Sequence, residues 1–75
     1  MPLYRITLAC STNPLRSTSR LVQVSTLELA CDLAQRRLDW ARSRTYVGKA
    51  YDTWRISTGD TASLRKLPLA VGRVR

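Results

Sequence analysis

Hydrophobic positions follow a helical period in one long segment of the chain, Ser25 to Arg44. At about 3.6 residues per turn, six apolar residues share a stripe roughly 100° wide. They are Leu27, Ala30, Cys31, Ala34, Leu38 and Ala41. Ser25 followed three positions later by Glu28 fits a capping box, in which each side chain satisfies a free backbone N–H of the first turn. The segment is therefore predicted to be a helix that starts at Ser25 and packs this stripe into the core.

Ahead of this helix, apolar and polar residues alternate with a period of two. Leu3 to Leu8 and Arg20 to Val24 are each predicted to form a half-buried strand. Between them, Ser11 to Ser19 contains Asn-Pro and several serines and threonines, which predicts a loop. Arg16 and Arg20 flank this loop. The loop is compatible both with contact to phosphates and with an ordinary solvated turn.

Behind the helix the period of two returns. Thr45 to Ser57 is predicted to be a strand, and one of its faces carries Tyr46, Trp54 and Ile56. Thr58 to Asp60 is predicted to be a turn, and Thr61 to Leu67 a further strand. Residues 68–75 form either a short edge strand or a loose basic tail, and the second interpretation is favoured.

The predicted order of strand, strand, helix, strand, strand indicates an α+β fold. The simplest packing places the helix on one face of a small, mainly antiparallel sheet of ββαββ order. With 75 residues the chain is expected to form a single domain, 1–75. The other sheet face is then open and is predicted to display Arg5, Gln23, Lys49, Tyr51, Thr53, Arg55 and Arg65. Such a basic face with a tyrosine suits phosphate contact combined with base stacking.

The helix has a second apolar side, formed by Leu29, Leu33 and Trp40 beside Arg36. Exposed tryptophan and leucine next to arginine are typical of a protein-binding hot spot. Alternatively, the C-terminal tail covers these residues, or a homodimer buries them. The sequence leaves all three possibilities open.

Net charge is the strongest compositional signal. Thirteen basic residues against five acidic ones give +8 and a pI near 10.8. Residues 26–44 hold four basic and three acidic residues, or +1, so the remaining nine basic and two acidic residues give +7. This imbalance favours nucleic-acid phosphates or an acidic protein surface as the partner, although eleven arginines against two lysines also fit a bias in genome composition. The candidate contact residues on sheet and loop are Arg5, Arg16, Arg20, Lys49, Tyr51, Arg55 and Arg65.

Several classes of chemistry lack their usual residues. The chain contains no histidine, which removes the commonest general base and metal ligand. Its three glycines are too scattered for a phosphate-binding loop, and Cys10 and Cys31 are too far apart for a CxxC pair and are interpreted as free thiols. A non-enzymatic binding protein without metal or cofactor is predicted. No helix-turn-helix, zinc-finger or RRM signature is present.

Membrane and export signals are missing from the pattern as well. No apolar run approaches the ~20 residues that a membrane-spanning helix needs. The start, MPLYRITLAC, lacks the basic and then apolar regions of a signal peptide. A cytoplasmic protein that does not engage membranes is therefore expected.

The segments LYRITL, VQVSTLELACDLAQRRL and YVGKAYDTWRISTGD, together with size and charge, resemble small phage and mobile-element proteins. Among these, the chain is most similar to type I anti-CRISPR proteins with one helix on a small antiparallel sheet, over residues 3–66. The resemblance implies a bacterial host cell and binding to a Cascade-type CRISPR surveillance complex, so that productive target-DNA binding is blocked. Acidic DNA mimicry, common among such inhibitors, is not expected at a charge of +8. A generic nucleic-acid-binding module of phage origin is the alternative.

Overall fold

The alternating strands and the long amphipathic segment form a sheet covered by one helix. The structure, a computed structural model, describes residues 2–59 and 68–74. Its elements in chain order are β1 (Leu3–Cys10), β2 (Asn13–Gln23), α1 (Leu27–Arg44), a 3-10 helix (Val47–Ala50), β3 (Thr53–Thr58) and β4 (Ala70–Arg73). The predicted α+β class is confirmed, with a 3-10 helix added to the predicted order of elements.

All strand pairs in the sheet are antiparallel, in the order β2-β1-β3-β4. In the central pair, Ile6 lies opposite Ile56 and Leu8 lies opposite Trp54. These four side chains are buried, so even-numbered positions of β1 and β3 point towards the helix. The odd-numbered positions point to the uncovered face, because side chains alternate along a strand.

The apolar stripe of α1 packs on this central pair. Ala30, Ala34 and Leu38 are fully buried, and Ala41 is nearly so. The small alanines allow the helix backbone to lie close to the sheet, while Leu38 fills the space between the layers. Leu27 and Cys31 pack at the margin of the same cluster, so the predicted core stripe is confirmed.

The N-cap of the helix lies one residue later in the chain than predicted. Thr26 is the N-cap, and its hydroxyl accepts a hydrogen bond from the backbone N–H of Leu29 at 3.2 Å. Ser25 therefore lies outside the helix, and Glu28 falls at the second helical position, where it cannot close a capping box with Ser25. Glu28 still lies in the first turn, where the helix dipole favours negative charge.

The prediction of a loop over Ser11–Ser19 is wrong, because only two residues separate the end of β1 from the start of β2. β1 continues to Cys10, and β2 starts at Asn13 after a turn of two residues. A bulge at Ala9 and Cys10 accommodates the extra residues of β2. The serines and threonines occupy an edge strand, and Thr7 and Ser19 share a cross-strand hydrogen bond of 3.0 Å between their hydroxyls. Arg16 and Arg20 thus lie on β2 and do not flank a loop.

The predicted strand Thr45–Ser57 is correct only in its second half. Residues Val47–Ala50 form the 3-10 helix, which is held against α1 by the Arg42 guanidinium. That group donates to the carbonyl oxygens of Lys49, at 3.0 Å, and Tyr51, at 2.6 Å. Gly48 packs so closely that a Cβ atom there would overlap the carbonyl oxygen of Ala41. As a result Tyr46 does not share a face with Trp54 and is 91% exposed.

The C-terminal tail is a strand, which corrects the expectation of a loose end. β4 pairs with β3, so that Ala70 lies opposite Ile56 and Gly72 opposite Trp54. It lies at the sheet edge furthest from β2 and leaves Leu29 and Trp40 of α1 exposed. The described part of the tail therefore does not cover the second apolar side. The predicted strand Thr61–Leu67 and the end of the predicted turn lie outside the described residues.

Asp52 joins the β1–β2 turn to the start of β3. Its carboxylate accepts hydrogen bonds from the backbone N–H of Ser11, at 2.9 Å, and from the Ser11 hydroxyl. The pKa of the Asp52 carboxyl lies below its usual value. The hydrogen bond from the Ser11 hydroxyl is the largest cause, and the one from the Ser11 N–H is the next. A carboxyl with a lowered folded-state pKa stabilises the protein above its unfolded-state pKa, and this stabilisation is lost as the pH falls through the folded-state value.

Asp52→Asn is therefore expected to lower the melting temperature at neutral pH. The difference from wild type should shrink as the pH falls below about 4, where the carboxyl of the unfolded chain becomes protonated. Thermal unfolding followed by circular dichroism between neutral and acidic pH measures this. Ser11→Ala, which removes only the hydroxyl, should show a smaller deficit with the same pH trend. A deficit that is constant with pH would contradict this role for the charge.

Candidate functional site

The strands of the sheet carry a one-sided charge. They contain five arginines and no acidic residue. The described carboxylates lie on α1 or just before β3, and three of them have partners elsewhere: Asp32 pairs with Arg36 at 3.1 Å, Asp39 accepts from Gln35, and Asp52 from Ser11. Within residues 2–59 and 68–74, no carboxylate pairs with a strand arginine. The sheet thus presents cations that lack counterions in the described part of the chain.

Three of the strand arginines form a line across the uncovered face. Arg5 lies opposite Ser57, Arg55 opposite Thr7, and Arg73 opposite Thr53. Each arginine is consequently the diagonal neighbour of the next, at a spacing of roughly 7–8 Å. We call Arg5, Arg55 and Arg73 the arginine diagonal. Arg55 and Arg73 are exposed and Arg5 is half-buried, so the guanidinium groups can reach a ligand lying on this face.

Hydroxyl and apolar side chains lie beside the arginine diagonal. By strand parity the open face also carries Thr7, Ser17, Ser19, Thr53 and Ser57, whose hydroxyls can donate to phosphate oxygens. Leu21 and Val71, directly opposite Arg5 and Arg55, are exposed on the same face. No aromatic residue of the four strands points to this face, because Tyr4 and Trp54 occupy helix-side positions. The face suits backbone contact but not the base stacking that was predicted for it.

The predicted open-face residues separate into two groups. Arg5, Gln23, Thr53 and Arg55 lie there as predicted. Lys49 and Tyr51 do not, because they belong to or follow the 3-10 helix, and Tyr51 packs against the core cluster. Arg65 lies outside the described residues.

A groove runs between α1 and β2 on the opposite, helix side of the sheet. We call it the helix groove. Its volume is about 590 Å³. Leu8 and Leu33 supply apolar lining, while Arg20 and Trp40 stand on its two walls. Its remaining lining residues are Thr18, Arg36, Arg37, Ala41, Thr45 and Tyr51.

Two cations approach one another in the helix groove. The pKa of the Arg37 guanidinium is lowered, first by partial burial and second by the positive charge of Arg20. Arg20 extends from β2, and Arg37 from α1. None of the residues that line the groove is acidic. An anion placed between Arg20 and Arg37 would relieve their repulsion.

A second groove lies at the other end of β2, beside the 3-10 helix. This turn groove has a volume of about 630 Å³. It brings together Arg16 and Lys49, two predicted contact residues that the sequence had placed on different surfaces, with the exposed ring of Tyr46. Its other lining residues are Cys10, Thr12, Asn13, Val47 and Ala50.

The two cysteines are free and sit in different environments. The pKa of the Cys10 thiol is lowered, chiefly by its hydrogen bond with the Thr12 hydroxyl. Burial raises the pKa of Cys31, and the negative charge of Glu28 adds to that effect. The prediction of unpaired thiols agrees with this placement.

The second apolar side of α1 divides between two environments. Leu29 and Trp40 are 48% and 60% exposed. Leu33 is half-buried against the core and lines the helix groove with Trp40 and Arg36. The Trp40 ring is thus part of a groove, while Leu29 stands alone on the surface near the start of the helix.

Sequence patterns missed Arg37 and Arg73 as site residues. Arg37 precedes the buried Leu38 and gives no signal, because Arg20, its neighbour in the groove, is predicted only to begin a short strand beside a loop. Arg73 and the exposed Val71 lie two positions apart in the short run AVGR and share one face. This spacing is a period-2 signal within the segment interpreted as a loose tail.

No protein-family model matches the chain, and no curated protein or solved structure is significantly similar to it. Within the described ranges, no helix is long and apolar enough to cross a membrane. The same residues contain no cluster of three or more side chains suited to holding a metal ion.

Proposed function

We propose that this protein is a cytoplasmic, non-enzymatic nucleic-acid-binding protein that contacts phosphate backbones without sequence preference. The observation that supports it best is the presence of five arginines and no acidic residue in the four strands. Cations without internal partners bind phosphates at little cost, since no existing ion pair has to break.

The arginine diagonal is the proposed duplex contact. Its members project from rigid, hydrogen-bonded strands in a line, which preorganises them for successive phosphates. Arginine suits this role because its planar group donates two parallel hydrogen bonds to phosphate. The absence of aromatic strand residues on the same face favours contact with backbone over contact with bases.

Salt dependence tests the proposal. Binding of a short labelled duplex, followed by fluorescence anisotropy, should weaken steeply between about 50 and about 200 mM salt. Arg55→Gln combined with Arg73→Gln should reduce the slope of log K against log salt by about 1.8, since each phosphate contact contributes about 0.9. Both residues are exposed, so the fold should survive.

The matched control compares two single substitutions that each remove one charge, Arg73→Gln on the arginine diagonal and Arg44→Gln on α1. Arg73→Gln should reduce the salt slope by about 0.9, and Arg44→Gln should leave it nearly unchanged, because Arg44 is exposed and lines neither groove. Equal losses in the two variants would mean that the net charge attracts the duplex and that the arginine diagonal is not the contact. No binding at low salt would overturn the proposed function itself.

The exposed Leu29 and Trp40 favour a second candidate, inhibition of a Cascade-type CRISPR complex by direct protein contact, as the resemblance implies. Large apolar side chains beside arginine are typical of protein interfaces. Leu29→Asp would weaken capture of a purified type I complex in this case. Because Leu29 lines neither groove, the same substitution should leave nucleic-acid binding intact.

A further inference from the structure

The helix groove and the turn groove are lined by successive parts of β2. On β2, the turn groove is lined by Asn13 and Arg16, and the helix groove by Thr18 and Arg20. On the opposite wall, Thr45 lines the helix groove and the next residue, Tyr46, lines the turn groove. The two grooves therefore follow one another along β2, and we call them together the β2 channel.

The β2 channel contains both cations and aromatic rings. Its basic residues are Arg16, Lys49, Arg20, Arg37 and Arg36, and its aromatic residues are Tyr46, Tyr51 and Trp40. Tyr46, in the turn groove, and Trp40, in the helix groove, are 91% and 60% exposed. No residue that lines either groove is acidic. Exposed aromatic rings between cations are the pattern by which proteins hold single-stranded nucleic acid.

We propose that the β2 channel binds a single-stranded segment of nucleic acid, with phosphates along Arg16, Arg20 and Arg37 and bases stacked on Trp40 and Tyr46. This inference deepens the proposed function and rests on it, but it uses the opposite face of the sheet from the arginine diagonal. The protein would then hold duplex on one face and an unpaired strand on the other.

Channel length and lining both favour a single strand. Asn13 lies opposite Cys10 and Arg20 opposite Ile6, four residues apart on β1, so this part of β2 spans roughly 14 Å at about 3.4 Å per residue. Stacked nucleotides advance about 3.4 Å each along one strand, so roughly four fit. Leu8 and Leu33 give the helix groove apolar lining, which suits the flat faces of unpaired bases. A duplex keeps those faces inside its own stack and presents mainly phosphates.

Tryptophan fluorescence reports on the channel directly. The chain has two tryptophans. Trp54 is buried, with its indole N–H donating to the Gln35 side-chain oxygen at 3.0 Å, so a ligand in the channel should quench Trp40 selectively. Titration with oligothymidine and oligouridine of about eight nucleotides should quench saturably, and Trp40→Ala should abolish the signal. By anisotropy, Trp40→Ala should weaken binding of the same oligonucleotides roughly ten-fold, the effect of losing one stacked base.

Two double variants locate the phosphates. Arg20→Gln with Arg37→Gln should weaken oligonucleotide binding at least ten-fold. Arg55→Gln with Arg73→Gln, which removes the same charge from the other face, should leave the quenching curve unchanged. This second pair is also the one expected to reduce the duplex salt slope. Loss of single-strand binding in the channel would therefore appear in the quenching curve, while failure of the proposed function would appear in the duplex titration.

Three outcomes would overturn the inference. The first is unchanged Trp40 fluorescence on addition of the oligonucleotides. The second is quenching of Trp40 by an equimolar duplex or by an acidic peptide of glutamates as strong as that by oligothymidine, which would make the channel a general anion or protein site. Finally, equal sensitivity to both arginine pairs would show attraction by net charge alone.

Discussion

Replacing Leu38 with alanine is expected to lower the free energy of unfolding by about 3 kcal/mol, within the 2–5 kcal/mol typical of buried leucines. Leu38 has no exposed surface and is one of the three largest fully buried side chains. Its stripe neighbours Ala34 and Ala41 are small, so nothing beside it on α1 can fill the cavity. In a domain of this size, each kcal/mol shifts the melting temperature by roughly 4–8 °C.

Urea denaturation followed by circular dichroism measures this loss. Leu29→Ala is the matched control, because it makes the same substitution on the same helix at a position that is 48% exposed. The stability lost in Leu29→Ala should stay well below that lost in Leu38→Ala, because Leu29 buries less apolar surface on folding than Leu38 does. Equal costs at the two positions would contradict the packing of α1 on β1 and β3.

The helix and the two central strands, though not their pairing, were predictable because their signals are local and redundant. The stripe of α1 repeats over five turns, and β1 alternates without interruption from Leu3 to Leu8. Trp54 and Ile56 were placed on the core side correctly, since both lie in a short run of β-favouring residues. Where period and composition agree, the local preference and the packed structure coincide.

The errors arose where tertiary contacts override local preference. Ser11–Ser19 has the composition of a loop, yet pairing with β1 makes most of it a strand, because the sheet supplies hydrogen bonds that composition does not reveal. Similarly, Val47–Ala50 lies in a run rich in strand-forming residues, but the Arg42 side chain binds the carbonyl oxygens of Lys49 and Tyr51. A contact between residues seven or nine positions apart leaves no periodic signal.

These errors changed the predicted site more than they changed the fold. Strand parity placed Arg5 and Arg55 on the open face correctly, because β1 and β3 were predicted at the right positions. Lys49, predicted on the open face, and Arg16 and Arg20, predicted to flank a loop, instead line the two grooves, because β2 is longer than predicted and the 3-10 helix forms. A basic face with one tyrosine, as predicted, thereby became two separate surfaces, of which only the β2 channel carries aromatic rings.

Replacing Gly72 with alanine is expected to destabilise the protein by about 1–3 kcal/mol, although it adds a single methyl group. Gly72 lies in β4 opposite Trp54, and a Cβ atom at this position would overlap the indole ring. Either β4 must detach from β3 or the ring must move and give up its hydrogen bond to Gln35. Both responses should shift the Trp54 emission to longer wavelength, because the ring becomes wetter.

Thermal unfolding and tryptophan emission of Gly72→Ala measure the two effects, in a Trp40→Phe background that leaves Trp54 as the only reporter. Val71→Ala is the control, since Val71 lies on the same strand but points to the open face and is 57% exposed. A wild-type melting temperature and emission for Gly72→Ala would mean that β4 does not pack on Trp54.

Because β4 also places Arg73 at the end of the arginine diagonal, detachment of this strand should reduce the duplex salt slope by about 0.9, as loss of one phosphate contact does. The same variant therefore tests whether the docked C-terminal strand contributes to the proposed duplex-binding face.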